Sequence, residues 1–130
     1  MSAEVIRNYI DAWNARDLDR MIELVSDDIL HRINQGGTRQ GKEAFAAFLR
    51  HVAEHYEERL DDVVILTGPD GRCGSEFTVH GIYRKTDDDM PRARGQRYTL
   101  PGAILCDTRD GRITRLSVFF NMADWRRQIA

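Results

Sequence analysis

Apolar residues recur at helical spacing near the start of the chain and at strand spacing in its second half. Ile6, Tyr9 and Trp13 follow one another at steps of three and four residues, which predicts a first amphipathic helix. Asp17 is a good helix cap before a second, short helix with four inward residues: Leu18, Met21, Ile22 and Val25. A third helix repeats its apolar residues at the same steps: Phe45, Phe48, Leu49, Val52 and Tyr56.

Alternation of apolar and polar residues predicts five strands, at residues 29–34, 60–66, 75–84, 96–107 and 113–121. Gly36, Gly37 and Gly41 indicate a loop before the third helix. Residues 85–95 predict a second loop, acidic first and basic afterwards, that is long enough to project from the domain. The closing run MADWRRQ predicts a final helical turn.

Helices followed by an antiparallel meander predict an α+β fold. In this fold, three N-terminal helices pack on the concave side of a conical, curved antiparallel sheet. Gly81 and Gly102 fall inside strand patterns, where glycine often marks a bulge or a bend that curves the sheet. A conical sheet leaves an apolar hollow under the helices, so we expect a ligand cavity there.

Length and charge narrow the class of protein. A chain of 130 residues fits one domain, spanning residues 1–130, and its net charge of -2 without a basic stripe argues against nucleic acid as a partner. No apolar run is long enough for a signal peptide or a membrane span, so we expect a cytoplasmic protein without a membrane partner. Cys73 and Cys106 are too few for a disulfide framework and are interpreted as reduced thiols. They come nearly opposite each other if the strands around the 85–95 loop pair as a hairpin.

Four runs carry a resemblance to a known family: NYIDAWNARDLDRMIELVSDD, GKEAFAAFL, EFTVHGIY and DGRITRLSVFFNMADW. Together they resemble the nuclear transport factor 2-like superfamily, and particularly its SnoaL-like and ketosteroid-isomerase-related members. The resemblance covers nearly the whole chain and implies a cystatin-like cone. The superfamily includes isomerases, cyclases, hydrolases, dehydratases and proteins without chemistry, so the resemblance implies the fold more specifically than the reaction.

Ketosteroid isomerase uses an aspartate as general base, while a tyrosine and a protonated aspartic acid hold the oxyanion. By resemblance, Tyr9 falls at the position of that tyrosine. The same comparison places Ile33 and Ala103 at the positions of the two acids. The resemblance therefore implies an isomerase scaffold in which a different polar set would serve a related reaction.

Tyr9 and His31 are the candidate catalytic residues. Tyr9 lies on the inward stripe of the first helix, and a buried phenol needs a hydrogen-bond partner or a ligand. His31 has the same strand parity as Ile33, so His31 faces the cavity if Ile33 does. An imidazole that titrates near neutrality is a usable general acid or base. The alternative is a partly buried histidine bonded to a backbone carbonyl.

Six further residues are expected to bind the substrate: Trp13, Asn34, Phe77, Tyr83, Phe120 and Asn121. An amide such as that of Asn121 can orient a substrate but cannot take its proton. Helix capping is the alternative role for Asn121. The chain carries no phosphate-cradling glycine loop and no dinucleotide fingerprint, so we expect no cofactor.

Glu76 and His80 lie four residues apart on one strand and so share a face. They form either an acid–base pair in the cavity or part of the outer face of the sheet. The resemblance implies that Phe77 and Tyr83 point inward, which puts Glu76 and His80 on the outer face. Proteins of this superfamily often pair through that face, so we expect a homodimer.

The run from His51 to His55 matches the H-x-x-E-H pattern of one zinc peptidase class. No third ligand has an obvious position, so a solvated helix edge is favoured. Asp87, Asp88 and Asp89 are interpreted as an exposed acidic turn. The sequence therefore predicts no metal site.

Two functions remain open for the predicted pocket. The first is a cofactor-independent, isomerase-like or cyclase-like enzyme that acts on a small apolar carbonyl compound. In that enzyme Tyr9 would donate a hydrogen bond and His31 would move a proton. The second is a non-catalytic domain that binds a hydrophobic ligand or acts through dimerisation.

Overall fold

A computed structural model describes residues 2–34 and 36–130, which form four helices and a six-stranded sheet. The helices are α1 (Ser2–Asn14), α2 (Leu18–Glu23), α3 (Lys42–His55) and α4 (Met122–Ile129). The strands are β1 (Val25–Ile33), β2 (Gly37–Gln40), β3 (Tyr56–Thr67), β4 (Arg72–Tyr83), β5 (Arg97–Arg109) and β6 (Arg112–Phe120). None of the four helices has the length and apolar character needed to cross a membrane.

The sheet has the order β2-β1-β6-β5-β4-β3. Neighbouring strands are antiparallel except β1 and β6, which are parallel. The helices α1 and α3 pack on one face of this sheet, while α4 follows the last strand. The α+β fold class predicted from the sequence is confirmed, with a fourth helix in addition to the three expected.

Element boundaries differ from the sequence prediction at three places. The expected glycine loop forms β2, because the free edge of β1 offers backbone groups that need partners. Val25 begins β1 instead of belonging to the second helix, since Leu24 already caps α2. Tyr56 begins β3 instead of ending the third helix, because its backbone is extended.

The core lies between the helices and the inner face of the sheet. Alternate residues of β4 and β5 are buried on that face, and Phe45 of α3 is fully buried against it. Cys73 and Cys106 are directly opposite each other in β4 and β5, and both are buried free thiols. The expected hairpin of β4 and β5 is therefore confirmed.

The two glycines inside strand patterns do not mark bulges. Gly81 pairs with Tyr98 and Gly102 with Phe77 in an uninterrupted register, and the register shifts lie elsewhere in the sheet. Each glycine instead leaves room for an aromatic ring. A Cβ atom would lie 2.0 Å from the Tyr98 ring at Gly81 and 2.7 Å from the Phe77 ring at Gly102.

The loop at residues 84–96 packs against the domain. The hydroxyl of Tyr83 donates a hydrogen bond to the Pro91 carbonyl (2.6 Å) and accepts one from the Asp87 N–H (2.9 Å). The His55 carbonyl, at the end of α3, accepts the backbone N–H of Arg84. The predicted projection of this loop is wrong, because its polar groups find partners on the domain.

Candidate active site

Glu58 places a carboxylate on the inner face of the sheet, among apolar residues. It precedes the buried Leu60 by two positions on β3, so the two side chains share a face. The Tyr98 hydroxyl donates a hydrogen bond to Glu58 Oε2 at 2.5 Å. Gly81 lies between them in the sheet register, and its missing side chain lets the Tyr98 ring cross to β3. The three residues therefore form one row across three strands.

Burial raises the pKa of Glu58 above its ordinary value, while the Tyr98 hydroxyl and the charge of Arg16 act in the opposite direction. Burial and the Glu58 carboxylate raise the pKa of Tyr98, so that hydroxyl stays protonated and remains a donor. A carboxyl group with a raised pKa exchanges protons closer to neutral pH, as general acids and bases do.

Glu58 and Tyr56 border a small hollow between the helices and the sheet. The hollow has a volume of about 30 Å³, which is enough for about one water molecule. Its other walls come from the helices and the turn after α1: Trp13, Arg16, Leu18, Met21, Leu49, Val52 and Ala53. Trp13, a predicted substrate-binding residue, therefore lies beside the carboxylate. A larger ligand has to displace side chains such as Trp13 and Leu18, which are both partly exposed.

An aromatic cluster supports the wall of this hollow. The Trp125 ring of α4 lies 5.5 Å from the Tyr56 ring and 6.0 Å from the Tyr98 ring, between centroids. Tyr83 stacks on Tyr56 at 5.2 Å, and Phe120 meets Trp125 edge to face at 6.1 Å. Tyr83 and Phe120, predicted to bind substrate, thus lie behind the residues that border the hollow.

Tyr9 is buried on α1, as its helical stripe predicts, with 3% of its surface exposed. Its ring lies 6.5 Å from Trp13 and 6.4 Å from Phe45, between centroids. Burial, with a smaller contribution from Cys106, raises the pKa of the phenol, so its hydroxyl stays protonated. Tyr9 does not itself border the hollow beside Glu58, but Trp13, which packs on it, does.

His31 is also buried, and it lies edge-on to Phe45 at 5.1 Å and to Phe48 at 4.9 Å. Burial and then the charge of Arg39 lower the pKa of His31 to about 4, so the imidazole is neutral at pH 7. Its Nδ1 atom has no hydrogen-bond partner among the described residues. Within the described part of the chain no hydrogen bond joins His31 to Tyr9, and both rings contact Phe45 instead.

A larger, open hollow of about 790 Å³ brings together four predicted substrate-binding residues: Asn34, Phe77, Phe120 and Asn121. The exposed Glu76 and Phe119 of the outer face line the same hollow, together with Phe77, which belongs to the buried core. Asn121 also accepts the Asp124 N–H at 3.0 Å and caps α4. Tyr9, His31 and Trp13 do not line this larger hollow.

Sequence reasoning missed Glu58 because the third helix was expected to run to Tyr56 and the next strand to begin at Leu60. The spacing along β3 identifies it: Glu58 lies two positions from Tyr56 and two from Leu60. Its acidic side chain therefore shares a face with these two buried residues. For Tyr98 the signal is a large ring directly opposite a glycine in the neighbouring strand.

The SnoaL-like domain model matches residues 6–116. The chain belongs to the SnoaL-like family. No curated protein matches this SnoaL-like domain. A solved structure of a proposed polyketide cyclase from Pseudomonas putida KT2440 is 39% identical, with a TM-score of 0.97 over 100% of this chain and 98% of that chain. Another proposed polyketide cyclase, from Silicibacter sp. TM1040, is 44% identical, with a TM-score of 0.96 over 99% and 95%.

An LEH-like epoxide hydrolase from M. tuberculosis shares the fold alone, at 16% identity and a TM-score of 0.75 over 98% of this chain and 88% of that chain. The family suggested by the sequence is confirmed. The SnoaL-like fold supports a small-molecule-binding function of the isomerase or cyclase type. Within this domain, the Glu58 and Tyr98 pair can accept and return a proton, and Tyr9 can donate a hydrogen bond.

Proposed function

We propose that this SnoaL-like domain is an acid–base enzyme that isomerises or cyclises a small, mostly apolar carbonyl compound, with Glu58 moving the proton. One observation carries this function. A carboxyl group with a raised pKa borders an apolar hollow and is held by the Tyr98 hydroxyl at 2.5 Å. Enzymes place their general bases in such surroundings, where burial brings the pKa towards the working pH.

The reaction begins with removal of a proton from the carbon beside the substrate carbonyl. Glu58 takes that proton, and the electrons of the C–H bond form an enolate whose charge rests on the carbonyl oxygen. In this scheme the substrate displaces Trp13, which packs on Tyr9 and borders the hollow. The Tyr9 hydroxyl then donates a hydrogen bond that stabilises that charge. In a conjugated dienolate, Glu58 returns the proton to another carbon, which gives isomerisation. Alternatively the enolate attacks a second carbonyl carbon, and Glu58 returns the proton to the alkoxide so formed, which gives ring closure; neither route changes an oxidation state.

His31 has a binding role in this scheme. Its buried Nδ1 atom lacks a partner among the described residues, and burying a polar atom without a hydrogen bond is costly. A neutral imidazole can donate or accept one hydrogen bond at that atom, depending on its tautomer. We therefore assign His31 to a polar group at the inner end of the substrate.

Exchange of substrate protons with solvent tests the role of Glu58. The protein is incubated in D₂O with small cyclic ketones and aromatic ketones, whose α-protons exchange slowly without a catalyst, and loss of the α-proton signal is followed by NMR. Glu58→Gln keeps the size of the side chain but removes the base, so catalysed exchange should fall by about 100-fold or more. The matched control is Glu57→Gln, because the neighbouring Glu57 is partly exposed and pairs with Arg84 at 2.7 Å. Equal exchange rates in wild type and E58Q would remove Glu58 from the mechanism.

A homodimer through the outer face is the second part of the proposed function. Among the described residues, four large apolar side chains are exposed on this face: Val64, Leu66, Leu105 and Phe119. Glu76 lies in the same row as Val64 and Phe119, and His80 lies 3.5 Å from Asp61. Exposed apolar patches rimmed by polar groups mark association sites, and one such face can pair with itself. The same patch favours the alternative of a non-catalytic binding or dimerisation domain.

A further inference from the structure

Three potential metal ligands converge at the C-terminal end of α3. His51 and His55 are one helical turn apart, and Asp87 faces them from the loop that follows β4. One ligand atom from each residue lies within 4.8 Å of the other two. His51 Nε2 and Asp87 Oδ1 are 2.8 Å apart, and the two imidazole centroids are 4.3 Å apart.

We propose that His51, His55 and Asp87 bind a divalent transition-metal ion, with Zn²⁺ as the best fit. Two imidazoles and one carboxylate form a donor set that zinc accepts, and a water molecule would complete a tetrahedral site. Zinc–ligand distances of about 2.0–2.2 Å place neighbouring ligand atoms roughly 3.3–3.5 Å apart. The observed separations lie between 2.8 and 4.8 Å, so small side-chain rotations would complete the site.

Neighbouring groups already orient two of the ligands. His55 Nδ1 lies 2.8 Å from the His51 carbonyl, and since a carbonyl only accepts, Nδ1 carries the proton and Nε2 remains as the ligand atom. The Tyr56 hydroxyl donates to Asp87 Oδ2 at 2.7 Å, while Oδ1 accepts the Asp88 N–H and keeps a lone pair for the ion. Hydrogen bonds of this kind fix the orientation of metal ligands in established sites.

Some carboxylates of the protein are already neutralised by an arginine or a lysine side chain, but that of Asp87 is not, among the described residues. On the outer face, Asp61 also lies near a histidine, His80, but Arg59 donates two hydrogen bonds to it. Among the described residues, Asp87 has no ion pair with a lysine or an arginine, and the nearby Lys85 pairs with Glu54. The carboxylate beside the two imidazoles is therefore available to a metal ion.

An ion at this site would fasten the 84–96 loop to α3. Asp87 belongs to that loop, and its partner Tyr56 stacks on Tyr83, whose hydroxyl holds the loop. Binding to the folded protein alone would therefore stabilise it against unfolding. The role is structural, and it does not depend on whether Glu58 is catalytic.

Zinc titration of the metal-stripped, full-length protein tests this site. Calorimetry with zinc sulfate should give one ion per chain, and the unfolding temperature should rise with zinc. His51→Ala, at a position whose side chain is 46% exposed, and Asp87→Asn should each weaken binding by about tenfold or more. His80→Ala and Asp88→Asn are matched controls that should keep the wild-type affinity.

Circular dichroism of each variant without zinc separates loss of binding from loss of fold. D87N leaves one side-chain oxygen where the wild type has one for the Tyr56 hydroxyl and another for the ion. The decisive result is therefore weaker binding in a normally folded H51A. The site is overturned if the wild-type protein shows no saturable zinc binding. Equal affinities in the wild type, H51A and D87N would overturn it as well.

Discussion

Gly81 and Tyr98 are directly opposite each other on β4 and β5, and the Tyr98 ring occupies the space of the side chain that Gly81 lacks. This placement has a chemical consequence. The ring has to cross β4 for its hydroxyl to reach Glu58 on β3. A glycine in the middle of a strand therefore fixes the position of the proposed general base.

Gly81→Ala should destabilise the protein and displace the Tyr98 ring. A Cβ atom at this position would lie 2.0 Å from the ring, far inside contact distance, and overpacking of this kind costs about 1–3 kcal/mol or more. Urea unfolding measures the loss. Gly68→Ala is the control, because its Cβ atom would meet nothing nearer than 3.7 Å. If G81A and G68A unfold at the same urea concentration, the steric account of Gly81 is wrong.

Tyr9→Phe should slow catalysed proton exchange by roughly 100-fold, because the variant lacks the hydroxyl that stabilises the enolate. The ring remains to pack against Trp13 and Phe45, so the stability should change little. Exchange rates by NMR and unfolding curves are measured on the same samples. An exchange rate equal to that of the wild type would exclude Tyr9 as the donor.

His31 should make the protein less stable in acid. Its pKa is about 4 in the folded protein against 6.5 for the ordinary group, so the folded state binds the proton less tightly than the unfolded state. The contribution of the neutral His31 to the free energy of unfolding is therefore fully present above pH 6.5. It is lost as the pH falls towards 4, by up to about 3 kcal/mol.

His31→Gln removes this titration and should flatten the acid branch of the stability curve. Unfolding in urea is compared at pH 7 and pH 4.5 for the wild type, H31Q and the control His80→Gln, which changes a partly exposed histidine on the outer face. The same acid loss in H31Q as in the wild type would show that His31 is not the buried neutral group described above.

The sequence predicts most of the fold because its apolar residues keep one period through each element. Tyr9 and His31 are buried where their periodicity puts them. Glu58 was not predicted because its role depends on where β3 begins. The helix α3 ends at His55 and β3 begins at Tyr56, with no loop between them. Asp87 was interpreted as part of an exposed acidic turn, and its contact with His51 was not predicted for another reason: it forms only because the loop folds back, and no local pattern encodes it.

Phe119→Glu should break the proposed homodimer. The side chain is 37% exposed in the apolar patch of the outer face, and a charge buried there without a partner opposes association. Light scattering after size exclusion gives the mass. Arg50→Glu, on the exposed side of α3, introduces the same charge away from the patch and should leave the dimer intact. A monomeric wild type, or an F119E variant that is still dimeric, would contradict the outer-face interface.

The pH dependence of catalysed proton exchange tests the central claim, that Glu58 is the general base, most directly. The rate should rise with pH as Glu58 loses its proton, with a midpoint above the ordinary glutamate pKa of about 4.3, because burial raises the pKa of Glu58. Glu58→Gln should abolish this rise. A midpoint at or below the ordinary value, or the same profile in E58Q, would contradict the account.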